Sequence, residues 1–113
     1  MEERELLKIL EKVATGCIYI GGEWDKATDS CKKGDVIIKT SKGVEGGVDI
    51  EIRKNGSTLF IEDLKSPDAI IKEEKDGERF LKFELLGEDF DTIITIPEYG
   101  NVFVDIGKEL DLE

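Results

Sequence analysis

Asp35, Asp49 and Glu62 are spaced so that an antiparallel sheet would set them side by side. A row of carboxylates is the chemistry of a hard-cation site, because Ca²⁺ and Mg²⁺ take oxygen ligands. The row follows from two strand registers. Val44, Gly46, Val48, Ile50 and Ile52 alternate with Glu45, Gly47, Asp49, Glu51 and Arg53, the period of a half-buried strand. Asn55-Gly56 suits a tight turn with positive φ at both positions, pairing Ile52 with Leu59, Ile50 with Ile61 and Asp49 with Glu62. Upstream, a strand over 35–40 turning through Ser41-Lys42-Gly43 sets Val36 against Val48, Lys39 against Glu45 and Asp35 against Asp49. Gly46-Gly47 then falls inside a long strand, where it reads as a bulge or corner. Like charges directly opposite destabilise a sheet, so the row asks for a reason, and the functional one is a bound Ca²⁺ or Mg²⁺. The competing reading is a solvated acidic face softened by Lys33, Lys39 or Lys65.

Cys17 and Cys31 admit three states: two free core thiols, a disulfide across a short loop, or a redox pair. Their spacing is not C-x-x-C, and without histidine they are too few for a zinc site. Trp24 and Tyr99 stand beside glycine-rich bends, where aromatics act as binding anchors or simply as core. Gly21-Gly22 lacks the strand–glycine–helix context of a phosphate cradle. The chain has no histidine, which excludes Ser-His-Asp and Cys-His catalysis. Carboxylates paired with lysine remain as catalytic groups, with no motif behind them.

The balance of 27 Asp+Glu against 16 Lys+Arg gives a net charge of −11. That argues against nucleic-acid or anionic-membrane binding, which both require positive charge. It leaves cations, basic protein partners, self-association, and mimicry of nucleic-acid charge. Lys and Glu abundance with only Asn55 and Asn101 as side-chain amides is a hyperthermophile composition, in which a cytoplasmic disulfide is acceptable. The acidic N-terminus carries no apolar signal segment and no apolar run reaches membrane-spanning length, so a cytoplasmic protein is expected.

The elements that must position these groups fit one domain of 113 residues. Leu6, Leu10 and Val13, widened by Leu7 and Ala14, predict a helix over 2–14 that Gly16 stops. A short strand over 17–20 ends at Gly21-Gly22. Trp24, Ala27 and Cys31 at helical spacing predict a second short helix over 24–33, with Gly34 as its stop. Strands follow from residue 35 to 106. After a turn at Lys65-Ser66-Pro67-Asp68, Asp76-Gly77 joins strands 69–74 and 78–86, pairing Lys75 with Glu78 and Glu74 with Arg79. Strands 90–96 and 101–106 flank a loop at Pro97-Glu98-Tyr99-Gly100, and 107–113 is an acidic tail.

Helices first and strands afterwards predict an α+β fold: the first helix on a curled, mostly antiparallel meander or partly open barrel. The leading functional expectation is a non-catalytic protein-interaction or self-association module. A divalent-cation-dependent binding domain or small enzyme is the first alternative, and an acidic charge mimic the second.

Overall fold

The computed structural model describes residues 3–108. A helix α1 (Glu3–Tyr19) precedes nine strands: β1 (Glu23–Asp25), β2 (Ser30–Lys33), β3 (Val36–Lys42), β4 (Val48–Lys54), β5 (Ser57–Leu64), β6 (Ile70–Lys75), β7 (Glu78–Leu86), β8 (Phe90–Pro97) and β9 (Phe103–Lys108). The fold is α+β, with every strand pair antiparallel. The strands do not continue as one curled sheet or barrel. They form a five-stranded sheet in the order β1-β2-β3-β4-β5 and a four-stranded sheet in the order β6-β7-β8-β9.

The break falls at a single 3-10 turn, Pro67–Ala69. Ser66 Oγ accepts the Asp68 N–H at 3.3 Å, and Pro67 has no N–H to continue a ladder. The helix then binds the two sheets together, touching β1, β2 and β4 on one side and β6 and β7 on the other. Its Lys12 ammonium donates to the Pro67 carbonyl at 3.0 Å, tying it to the junction.

α1 is longer than expected, and the predicted strand over 17–20 does not form. The buried stripe is Ile9, Val13, Gly16 and Cys17, so the apolar period runs past the expected stop and ends in buried Ile20. Gly16 is inside the helix because Leu81 of β7 packs where a side chain would be. A Cβ there would lie 2.5 Å from Leu81 Cδ1. The stop is Gly21, at φ 86°. Its N–H reaches the Ile18 carbonyl at 3.0 Å and the Gly22 N–H reaches the Cys17 carbonyl at 2.8 Å, the paired bonds of a Schellman cap.

The second helix over 24–33 is also absent. β1 and β2 form a hairpin in which Trp24 faces Cys31 directly. Asp25 Oδ1 accepts the Ala27 N–H at 2.9 Å and so turns the chain. Helical spacing and a four-residue turn both put Trp24 and Cys31 on one side; the Asp25 turn decided between them. Gly34 is likewise a turn residue, lying between Lys33 and Val36, which are paired.

The β3–β4 register differs from expectation by six residues. Val36 faces Lys54, Lys39 faces Glu51 and Ser41 faces Asp49. The segment 43–47 is a loop, closed by the Gly43 N–H on the Gly47 carbonyl at 2.8 Å. Val44, expected inside a strand, is fully exposed. The shift is even, so both registers bury Val36, Ile38, Val48 and Ile50. Only the turn could separate them.

Elsewhere the pairings next to the turns agree with the sequence, but the expected Asp49–Glu62 pair is lost to a bulge. Ile52 faces Leu59 and Ile50 faces Ile61 across Asn55-Gly56, where φ is 48° and 84°. Glu74 faces Arg79 and Lys75 faces Glu78 across Asp76-Gly77. Pro97 belongs to β8, and β9 begins at Phe103. Gly107 and Lys108 are in β9 rather than a tail, while 109–113 lie outside the described residues, as does Glu2. One core results, running from Ile9 and Val13 through Ile38, Ile50 and Ile61 to Leu81, Phe83, Ile94 and Ile96.

Candidate functional site

Asp35, Asp49 and Glu62 are not brought together. Asp35 sits at the β2–β3 turn, where its Oδ2 accepts from Asn55 Nδ2 at 3.1 Å. Asp49 pairs with Ser41 at the other end of the ladder, about 20 Å of strand away at roughly 3.3 Å per residue. A bulge between Val48 and Ile50 also shifts the β4–β5 register, so that Val48 faces Leu64. Glu62 is exposed, and Asp63 takes its place beside Asp49.

Asp63 is the residue that sequence reasoning missed. Its backbone is at φ 53°, its N–H donates to Asp49 Oδ1 at 2.8 Å, and its own Oδ1 accepts the Gly47 N–H at 2.7 Å. Lys65 Nζ lies 3.3 Å from Oδ2. Burial pushes the Asp63 carboxyl up, but the Gly47 N–H and the Lys65 ammonium outweigh it and hold the carboxyl below its ordinary value. The two carboxylates are therefore occupied in closing a loop. Gly47 permits this: a Cβ there would lie 2.5 Å from Asp63 Oδ1. Among the described residues no group of three or more His, Cys, Asp or Glu side chains is arranged to hold a metal ion.

Cys17 and Cys31 form a disulfide, with Cα atoms 5.9 Å apart. Both are buried, so the bond fastens the last turn of α1 to β2. Trp24 is half-buried against the core. Tyr99 is 71% exposed in the β8–β9 loop.

Of the large apolar residues left in solvent, Leu7 and Ile18 lie on α1 and Val44 and Tyr99 in loops, and the others lie on β5 and the β7–β9 region. Phe60, Leu86, Phe90, Phe103, Val104 and Ile106 are exposed, Leu86 by 86% and Ile106 by 68%. The ladder explains Val104 and Ile106: Val104 faces buried Ile94, and Ile106 faces Thr92 one row further out. The apolar face thus runs on past the part that the core covers. Two clefts follow β5. One of about 560 Å³ is lined by Phe60, Ile61, Glu62, Leu64, Leu85 and Leu86, among others. The other, of about 420 Å³, brings Leu59 to Val102 and Val104. Alternation in the sequence marks these side chains as strand residues; nothing local marks where cover ends, since each cleft joins segments far apart in the chain.

The fold and these surfaces define a small α+β domain: one helix over two antiparallel meander sheets, with apolar side chains exposed near sheet edges. No family model, curated protein or solved structure matches the chain. Among the described residues no helix is long and apolar enough to cross a membrane.

Proposed function

We propose that this protein is a non-catalytic module for protein interaction or self-association. The supporting observation is the row Phe90, Val104 and Ile106, exposed on the face of the second sheet that carries Ile94, with Phe60 and Leu86 exposed at the cleft beside β5. Scattered apolar residues are ordinary on a surface, but a gathered set beside free sheet edges marks a contact surface. The divalent-cation reading ranks behind it, since Asp35 lies far from Asp49 and the Asp49 and Asp63 oxygens take backbone N–H groups. Charge mimicry of nucleic acid rests only on the net charge of −11.

The test is sedimentation of the purified chain across a wide concentration range, paired with photo-crosslinking from position 86 in the source cell. The expected result is a concentration-dependent oligomer or a discrete crosslinked protein, lost in Leu86→Lys and Ile106→Lys. A chain that stays monomeric and crosslinks to nothing discrete would sink the reading.

A further inference from the structure

The two sheets have four edges, and they are protected unequally. β1 is only three residues long, with Glu23 and Asp25 at its ends. β6 carries Lys72 and Lys75. Short edges and edge lysines are the usual guards against strand addition. β9 pairs with β8 on one side and carries Asp105 between Val104 and Ile106. β5 is eight residues, Ser57 to Leu64, without lysine or proline. It pairs only with β4 and ends its sheet, so its outer N–H and C=O groups face no strand among the described residues.

β5 is also the edge that both clefts follow, and the larger cleft is charged in one sense. Its ionisable lining is Glu62, Asp63, Asp68, Glu84 and Lys65, and the lysine is paired with Asp63. Among the described residues Glu62 and Glu84 form no ion pair. The floor beside them is Ile61, Leu64 and Leu85, with Phe60 and Leu86 exposed at the rim.

Resting on the interaction-module reading, we infer that β5 is a docking edge for an extended, basic segment of a protein partner. The segment adds as a strand to β5 and alternates apolar residues with lysine or arginine. Main-chain bonds to β5 supply the affinity in this mode of recognition, and alternate side chains supply the choice of partner. The apolar set covers Leu85 and Ile61, and the cations meet Glu62 and Glu84. A second copy of this chain is disfavoured as the occupant, because it would bring Glu62 and Glu84 to further carboxylates on a protein of net charge −11. The bulge at Asp63 limits the added strand to the stretch before it.

The test uses the full chain and a fluorescein-labelled, end-capped octapeptide alternating valine with lysine, read by anisotropy. Saturable binding is expected, weakened about tenfold or more by Glu62→Lys with Glu84→Lys. It should also be lost when alternate peptide amides are N-methylated in one of the two sets but not in the other. The same peptide with glutamate for lysine should not bind. Equal binding by both methylated peptides would mean unspecific charge attraction and overturn the inference. So would no binding, or indifference to the two glutamate substitutions. Sedimentation separates this failure from that of the broader reading. A chain that binds no peptide but self-associates through Leu86 has a second copy on this surface, and the interaction reading survives. A chain that binds no peptide and stays monomeric with no crosslinked partner loses both.

Discussion

Asp49 Oδ1 accepts the backbone N–H of Asp63 at 2.8 Å, at the bulge in the β4–β5 pairing. Asp63 passes the connection on, accepting the Gly47 N–H at 2.7 Å, so one pair of acidic residues holds both the 43–47 loop and the strand that borders the clefts. Changing Asp49 to Ala leaves the Asp63 N–H without its acceptor, at a cost of about 1–3 kcal/mol. Asp49→Asn keeps an oxygen at the same place and should be close to neutral. Urea unfolding of both variants checks this; equal losses would show that the charge, not the hydrogen bond, carries the effect.

The depressed Asp63 carboxyl makes a statement about acid stability. A carboxyl that titrates lower when folded contributes stability that is complete above the unfolded value of about 4. The contribution fades as pH falls through the lower folded value. Asp63→Asn keeps a residue that tolerates the left-handed backbone but removes the charge. The variant should be the less stable at neutral pH, and its deficit should shrink as pH falls below about 4. Denaturation midpoints at a series of pH values that run parallel for the two proteins would refute it.

How much of the fold was legible depended on whether the deciding contact was local. Asn55-Gly56 and Asp76-Gly77 declare their own turns, and the registers beside them agree with the sequence as far as the bulge after Ile61. The β3–β4 register does not, because an even shift leaves the same isoleucines inside and Val44 continues the alternation that it does not join. Gly16 resembles a helix stop from its neighbours alone; its packing against Leu81, 65 positions away in the sequence, shows why it lies within the helix. The acidic row failed with the register, and the clefts had no local signal. Trp24 and Cys31 share a side in helix and hairpin alike, so their side was readable and their element was not.

The disulfide between Cys17 and Cys31 closes a loop with a sequence separation of 14. Cross-linking a loop of that size stabilises by about 3 kcal/mol in the chain-entropy account. Replacing both cysteines with alanine, or reducing the bond under denaturant and measuring refolding with reductant present, should lower stability by about that amount. A loss well under about 1 kcal/mol would mean that the unfolded chain is already compact there.

Gly16→Ala tests the close approach between the helix and β7. Alanine is the better helix former by up to about 1 kcal/mol, so an isolated helix would gain. In the folded chain the new methyl meets Leu81 Cδ1 at 2.5 Å, and crowding a packed core costs about 1–3 kcal/mol. Net destabilisation is expected, relieved in the double variant with Leu81→Val, which clears the space. A more stable single variant would show that the helix and β7 part easily at this seam.

Divalent salt provides the last test, because the expected carboxylate row and the observed registers predict opposite results. A cation that binds only the folded chain would stabilise it by RT ln(1 + [L]/Kd), about 2.7 kcal/mol at a hundredfold excess over Kd. With Asp35 held by Asn55 and Asp49 engaged by Asp63, the row offers no converging oxygens, and surface carboxylates respond to ionic strength alone. Millimolar Ca²⁺ or Mg²⁺ should therefore raise the melting temperature no more than NaCl at equal ionic strength. Glu62→Gln should leave that response unchanged. A divalent-specific rise that Asp49→Asn or Glu62→Gln removes would restore the cation reading and displace the loop-closing role of Asp49.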